Sequence, residues 1–180
     1  MPDVSAETLF IEALLADETL FDRLASAHPI YLRFAKVLQR EDTASRLTLA
    51  DVANMVGLPA AAVIDVVRGQ VVREEGADAS PPDRLPEGRP AWADRPGQDI
   101  RRFDARPLLD DGHEPLPNLL SFADSAPREA MLVIDATFHP QPLRRLFEGR
   151  GYQSGAEPLG ADHWRVYLRR AEAAGRAAME

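Results

Sequence analysis

The sequence contains no cysteine. That one absence removes disulfides, thiolate nucleophiles, persulfide carriers and Cys-ligated zinc or iron-sulfur clusters. Histidine is scarce, with four residues, so any soft-metal chemistry would be built from those four and the carboxylates. No apolar stretch nears the roughly 18 residues of a transmembrane helix, and Met1-Pro2-Asp3 lacks the basic-then-apolar layout of a signal peptide. The expectation is a cytoplasmic protein with no membrane partner. Positive charge is also in deficit: 21 Lys and Arg against 29 Asp and Glu leave a net charge of −8. Such a balance argues against a general nucleic-acid footprint and against docking on an anionic bilayer.

What is present divides the chain in three. Over 180 residues, 45% hydrophobic and 28% charged, there is room for one real core or two modest ones. Residues 1–73 read as a small all-α domain of five short helices. Ser5 caps a first helix bearing Phe10, Ala13 and Leu14, and Asp17 caps a second bearing Leu20, Phe21 and Leu24. His28-Pro29 breaks the pattern, and Pro29 opens a third helix with Ile30, Phe34 and Val37. Thr48 with Asp51 three residues on marks a capped fourth helix ended by Gly57; Pro59 opens a fifth through Val63, Ile64 and Val67. Residues 74–99 lose apolar periodicity. They carry Pro81, Pro82, Pro86, Pro90 and Pro96 and seven acidic residues against three arginines, which reads as an acidic tether with Trp92 as its one aromatic.

From residue 100 to 180 the period switches. Ile100 to Leu108, Ala130 to Phe138, Tyr152 to Leu159 and a last segment alternating Trp164, Val166 and Leu168 with Arg165, Tyr167 and Arg169 read as strands. Pro115 to Ala126 and Pro142 to Glu148 read as helices, and the tail from Ala171 as a frayed one. The order is βαβαββ, a two-layer α/β sandwich, so the whole is of α+β class. Met131 to Ile134 is continuously apolar, as expected of a strand covered on both faces.

Phe103-Asp104-Ala105-Arg106, His139-Pro140-Gln141-Pro142-Leu143 and Asp162-His163-Trp164-Arg165-Val166 carry a resemblance of Asp104 to Arg170 to the SirA/TusA-like sulfur-carrier superfamily, nearest to an uncharacterised branch. Sulfur carriers of that superfamily place Cys-Pro-x-Pro at the start of the first helix. Here the stretch is Glu114-Pro115-Leu116-Pro117, so persulfide transfer is chemically closed. Phe21, Leu24, His28-Pro29, Leu49 to Gly57 and Leu58 to Val67 give Leu20 to Val72 a likeness to the small helical domain of hybrid-cluster-associated and iron-sulfur-repair proteins. That family carries a cysteine pair where this chain has Gln39 to Arg46. The two resemblances imply a partner in nitrogen-oxide, iron-sulfur or respiratory metabolism.

A right-handed βαβ crossover makes the first two strands parallel, which brings both strand-to-helix loops to one end of the sheet. His113 and Glu114 lie in one loop and His139 in the other, a set that would suit an open first-row metal ion. The plain alternative is that His139 caps or packs against Pro140 and Pro142 while His113 is solvated. Asp104 and Arg106, two apart on a strand, share a face and either pair with each other or hold an anionic partner. Leu47 to Val67 has helix-turn-helix spacing, yet its second helix opens Pro59-Ala60-Ala61-Ala62, with methyl groups where base edges would be read. No Ser-His-Asp order, Gly-rich phosphate loop, His-Glu-x-x-His or calcium loop occurs, so nothing positive supports an enzyme. The expectation is a non-enzymatic accessory or adaptor protein binding a protein partner or small ligand. Its rivals are a metal-dependent binding or redox protein using His113 and His139, and a DNA-binding regulator.

Overall fold

The computed structural model describes residues 4–70 and 85–171. The helical part holds α1 (Phe10–Ala16), α2 (Leu20–Ala27), a 3-10 turn (Pro29–Phe34), α3 (Ala35–Leu38), α4 (Glu41–Ala44), α5 (Leu49–Val56) and α6 (Ala60–Val67). Local chemistry sets the entry to α2 and both ends of α5. Asp17 accepts from the Thr19 backbone N–H at 2.9 Å and from its hydroxyl at 2.7 Å, which anchors the entry to α2. The Thr48 hydroxyl accepts from Asp51 N at 3.1 Å while Asp51 accepts from Thr48 N at 2.9 Å, a reciprocal capping box at the start of α5. Gly57 ends that helix at φ 77°, where a Cβ would be strained.

Two expectations are corrected. Ser5 does not cap α1: residues 5–8 form a turn, and the helix starts only after Leu9 bridges to Thr48. There Phe10 N donates to Leu47 O at 2.7 Å and Leu49 N to Thr8 O at 2.9 Å, so a backbone pairing distant in sequence sets the boundary. The third helix is a 3-10 turn followed by the one-turn α3, and a further turn, α4, precedes the capping box.

The second part begins with a 3-10 turn (Ala91–Asp94) and continues through β1 (Ile100–Asp104), α7 (Arg106–Asp110), α8 (Leu116–Ser125), β2 (Met131–Ala136), α9 (Gln141–Gly149), β3 (Tyr152–Gly160) and β4 (His163–Arg170). The βαβαββ order stands, with α7 added where the first strand was expected to continue to Leu108. The sheet runs β1-β2-β4-β3, parallel between β1 and β2 and antiparallel elsewhere. One face carries Leu132, Ile134, Val166, Leu168 and Ala156 against Leu116, Leu119 and Leu120 of α8 and Leu143, Leu146 and Phe147 of α9. On the other face Met131, Val133 and Tyr167 pack with Ala93 and Trp92. Every residue of β2 is buried, which explains its unbroken apolar run Met131 to Ile134.

That second face corrects two more expectations. Alternation with Val166 and Leu168 puts Tyr167 beside Arg165 and Arg169 on the side that a half-buried strand turns to water, yet it is buried under residues of the tether. Residues 71–84 lie outside the described residues, but from Leu85 onward the segment is strapped to the sheet. The Gln141 side-chain amide bonds Leu85 twice, its oxygen accepting from the Leu85 N–H and its nitrogen donating to the Leu85 carbonyl, each at 3.0 Å. The buried Arg144 donates to Pro86 O at 2.9 Å and to Ser154 Oγ at 2.8 Å. Gly88 N donates to Ala156 O of β3 at 2.6 Å, and the Arg169 guanidinium lies 4.7 Å from the Trp92 ring. Proline here limits helix without preventing packing. The tail beyond Ala171 is likewise outside the described residues.

The two parts share one apolar core. Helix α5 packs on α9, and α9 makes this possible by ending in glycine: a Cβ on Gly149 would stand 2.1 Å from Asn54 Nδ2 and 2.8 Å from Asn54 Cγ. Beside that contact Arg150 Nε and Nη2 donate to the two Asp51 oxygens at 3.0 and 2.9 Å, and Nη2 also reaches Arg46 O at 2.8 Å. Burial pulls the Arg150 guanidinium pKa down, but the bonds and charge of Asp51 outweigh it and leave the value raised.

Because the clash at Gly149 is with a side chain, it is removable. Gly149→Ala is expected to destabilise the protein, whereas in an Asn54→Ala background the same change should stabilise by roughly 0.5 to 1 kcal/mol through helix propensity. Denaturant melts of the four proteins of this cycle check the sign change. Within the helical core, the fully buried Tyr31 hydroxyl has no hydrogen-bond partner among the described residues, and burial drives its pKa far above the ordinary value. Tyr31→Phe is therefore expected to raise stability by about 1 kcal/mol, read from the same melts.

Candidate functional site

On the face of the sheet opposite α8 and α9, the register lines up one residue from each strand. Asp104 of β1 stands beside Asp135 of β2, which stands beside Arg165 of β4, which stands beside Glu157 of β3. Asp104 and Asp135 sit at the carboxyl ends of the two parallel strands, the place where open α/β sheets collect polar groups. Asp135 is the polar exception in a buried strand, its side chain 12% exposed. It accepts from Arg165 Nε at 2.9 Å and Nη2 at 3.2 Å, and from His163 Nε2 at 2.9 Å. A carboxylate only accepts, so His163 carries its hydrogen on Nε2. Asp104 takes Arg106 Nε at 2.8 Å, Nη2 at 2.7 Å and the Arg106 backbone N–H at 3.1 Å.

These pairs form one electrostatic unit. Burial pushes the Asp135 carboxyl upward, but the bonds from Arg165 and His163 more than offset it and hold the pKa below the ordinary value. Asp104 is lowered by its bond to Arg106, against partial burial, and also feels His163. Arg106 is raised by its bond to Asp104 and also feels Asp135. Arg165 is raised by its bond to Asp135 and couples onward to Tyr167. The Tyr167 hydroxyl donates to Glu157 and accepts from Arg89 Nη1 at 2.8 Å, and Arg89 holds Asp94 at 2.6 Å. The row of charge on the strands thus runs into the strap. Chemically, it presents two bidentate guanidinium pairs, one between strands and one between β1 and the start of α7, suited to exchanging one carboxylate for another.

The sequence-derived candidates fall into two groups. Asp104 and Arg106 do meet, although Arg106 opens α7 and does not continue the strand. The chain turns at Ala105, and Asp104 Oδ1 captures the Arg106 N–H, which is what ends β1. His113, Glu114 and His139 are not brought together. His113 is exposed in the connection after α7. Glu114 accepts from Leu116 N at 3.2 Å at the start of α8; burial raises its pKa, and the nearest charges felt there are Arg40 and Asp42 of the helical part. His139 stands 3.2 Å from Glu87 of the strap and edge-on to Trp164, ring centroids 4.6 Å apart. Among the described residues no group of three or more His, Asp or Glu could hold a metal ion. The loops share an end of the sheet as expected, but Glu114 faces the helical part and the strap engages His139.

Asp135, His163 and Arg165 were not singled out as a site. The signal was present: Asp135 is the one charge in the apolar run from Met131 to Ala136, and a buried charge requires partners. The helix-turn-helix pair does form around Gly57, but α5 is a core helix with Leu49, Asp51, Val52, Ala53, Met55 and Val56 buried. Arg68, the cation that follows α6, donates to Val4 O at 2.7 Å, and Arg73 lies outside the described residues. The groove lined by Arg40, Glu41, Asp42 and Ser45 includes none of the sheet-face residues.

Fold and site together define an α+β protein with a half-exposed ion-pair network on a mixed four-stranded sheet. No helix among the described residues is long and apolar enough to cross a membrane. Compared with known protein families, curated proteins and solved structures, the chain gives no match.

The lowered Asp135 pKa fixes a sign. A carboxyl whose pKa falls on folding contributes stability that is complete above its ordinary value of 3.8 and is lost as pH drops through the depressed value. Asp135→Asn is expected to cost about 2 kcal/mol at neutral pH. The gap from wild type should close as the pH is taken below about 4, as measured by urea melts across that range.

Proposed function

We propose that this chain is a non-enzymatic adaptor of the cytoplasm. It binds a protein partner across the sheet face where Asp104, Arg106, Asp135, His163 and Arg165 converge. The observation that supports this reading is the Asp135 cluster. Three strands and the start of α7 place two guanidinium-carboxylate pairs and a histidine side by side, on a surface and not in an enclosed cleft. An incoming acidic side chain would displace Asp104 from Arg106, the more exposed pair, while the Asp135 pair holds the surface rigid; Arg106 and Asp104 are 37% and 43% exposed. Exchange of one carboxylate for another costs little, so specificity comes from the fixed spacing of the pairs. The resemblance to a sulfur-carrier module with glutamate at the sulfur position points the partner toward nitrogen-oxide, iron-sulfur or respiratory maturation.

Charge reversal tests the reading. The full chain and its Arg106→Glu variant are each immobilised and exposed to a native extract, and retained proteins are quantified. A protein held by the wild type and reduced at least tenfold by Arg106→Glu, with the melting temperature unchanged, is the expected result. Retention that is equal for both proteins would sink the proposal.

A further inference from the structure

The two edges of the sheet are finished differently. At the β3 edge, Gly88 of the strap already bonds the outward carbonyl of Ala156. At the β1 edge, the strand pairs only with β2 among the described residues. Met131 N donates to Asp99 O and Ala105 N to Asp135 O, both at 2.8 Å, so residues 99, 101, 103 and 105 turn their backbone groups toward β2. By the period of two, Ile100, Arg102 and Asp104 point their N–H and C=O groups away from the sheet. No proline or bulge interrupts this edge, and the register with β2 is unbroken over all five residues. An edge so exposed is a template for another strand.

Its side chains select which strand. Arg102 is exposed and carries no ion pair among the described residues, and Asp104, two residues on and on the same face, is 43% exposed. Phe103 projects to the helical face, half-buried, its ring centroid 5.3 Å from that of Phe122. We propose that β1 pairs antiparallel with β1 of a second copy of this chain, about a two-fold axis at Phe103, to make a dimer with one continuous eight-stranded sheet. In that register each Arg102 faces the other copy's Asp104 as a hydrogen-bonded pair, so both charge contacts are attractive. The two Phe103 residues face each other at the closer, non-hydrogen-bonded spacing, which suits an aromatic pair. Shifting the axis to Arg102 would set like charges opposite each other, which disfavours that register. The interface is small, so the dissociation constant is expected on the order of micromolar. Pairing would also set two copies of the Asp104–Asp135 network side by side, but it needs no partner protein and is measured without one.

Sedimentation of the full chain from micromolar to near-millimolar concentration tests it. The expected result is a concentration-dependent monomer–dimer equilibrium. Arg102→Asp, which makes both cross-axis contacts repulsive, should weaken it about tenfold or more, and Arg102→Asp combined with Asp104→Arg should restore it. Arg102→Pro removes an outward N–H that the monomer does not use, so it should abolish the dimer while leaving the melting curve in place. If the reversed pair does not fold, Arg102→Pro alone decides. A wild type that stays monomeric throughout, a folded reversed pair that stays monomeric, or an Arg102→Pro variant that still dimerises would each overturn the proposal.

Discussion

The junction of α5 with α9 is the constraint on which the rest of this molecule depends. Neither part is large enough to bury a generous core alone, and the two are joined by packing in which Gly149 makes room for the Asn54 side chain. Asp51 shows how tightly the junction is built. The same carboxylate closes the capping box of α5 and receives the forked guanidinium of Arg150, so one group sets both where a helix starts and how it meets the sheet domain. A buried charge pair of this kind costs desolvation and returns geometry, with both partners fixed in one orientation. Leu47, Phe10 and the Leu9–Thr48 bridge then hang the first helix on the same segment.

From that junction the sheet inherits two unlike faces. The helical layer covers one side with aliphatic side chains. The strap packs Trp92 and Ala93 onto Met131, Val133 and Tyr167 of the other, and Asp104, Asp135 and Arg165 line up beyond them. The strap is held at its start through its backbone, by a glutamine side chain on Leu85, a buried arginine on Pro86 O and one bridge to β3, and further on by the Trp92 and Ala93 side chains. The backbone contacts depend little on which side chains Leu85 to Gly88 carry, so a proline-rich, acidic composition is compatible with them.

Much of the fold was legible in the sequence, for a physical reason particular to each element. Thr48, Asp51 and Gly57 mark α5 because capping and left-handed termination are local chemistry. The βαβαββ order follows from apolar periodicity, and the parallel β1 and β2 from the handedness of crossovers. What failed was non-local. Ser5 has cap chemistry, but a backbone pairing to Thr48 moved the start of α1 to Phe10. The strap looked like a tether because its partners, Gln141, Arg144 and Ala156, lie more than fifty residues away. Of the candidate site, Asp104 with Arg106 was readable from spacing. His113, Glu114 and His139 were grouped by topology alone, which places loops at one end of a sheet without saying which way each side chain turns.

The sequence by itself determined the chemistry this protein cannot do and the class of its fold. With no cysteine there is no thiolate, and with strands and helices marked by period the α+β architecture follows. Only the tertiary structure decided where charge gathers. Asp135, His163 and Arg165 come from segments 28 and 30 residues apart and meet only because β4 inserts antiparallel beside β2. Local patterns fix dihedrals and faces, which a short window of residues encodes. Strand neighbours are chosen by the burial of the whole chain, and no short window holds that choice.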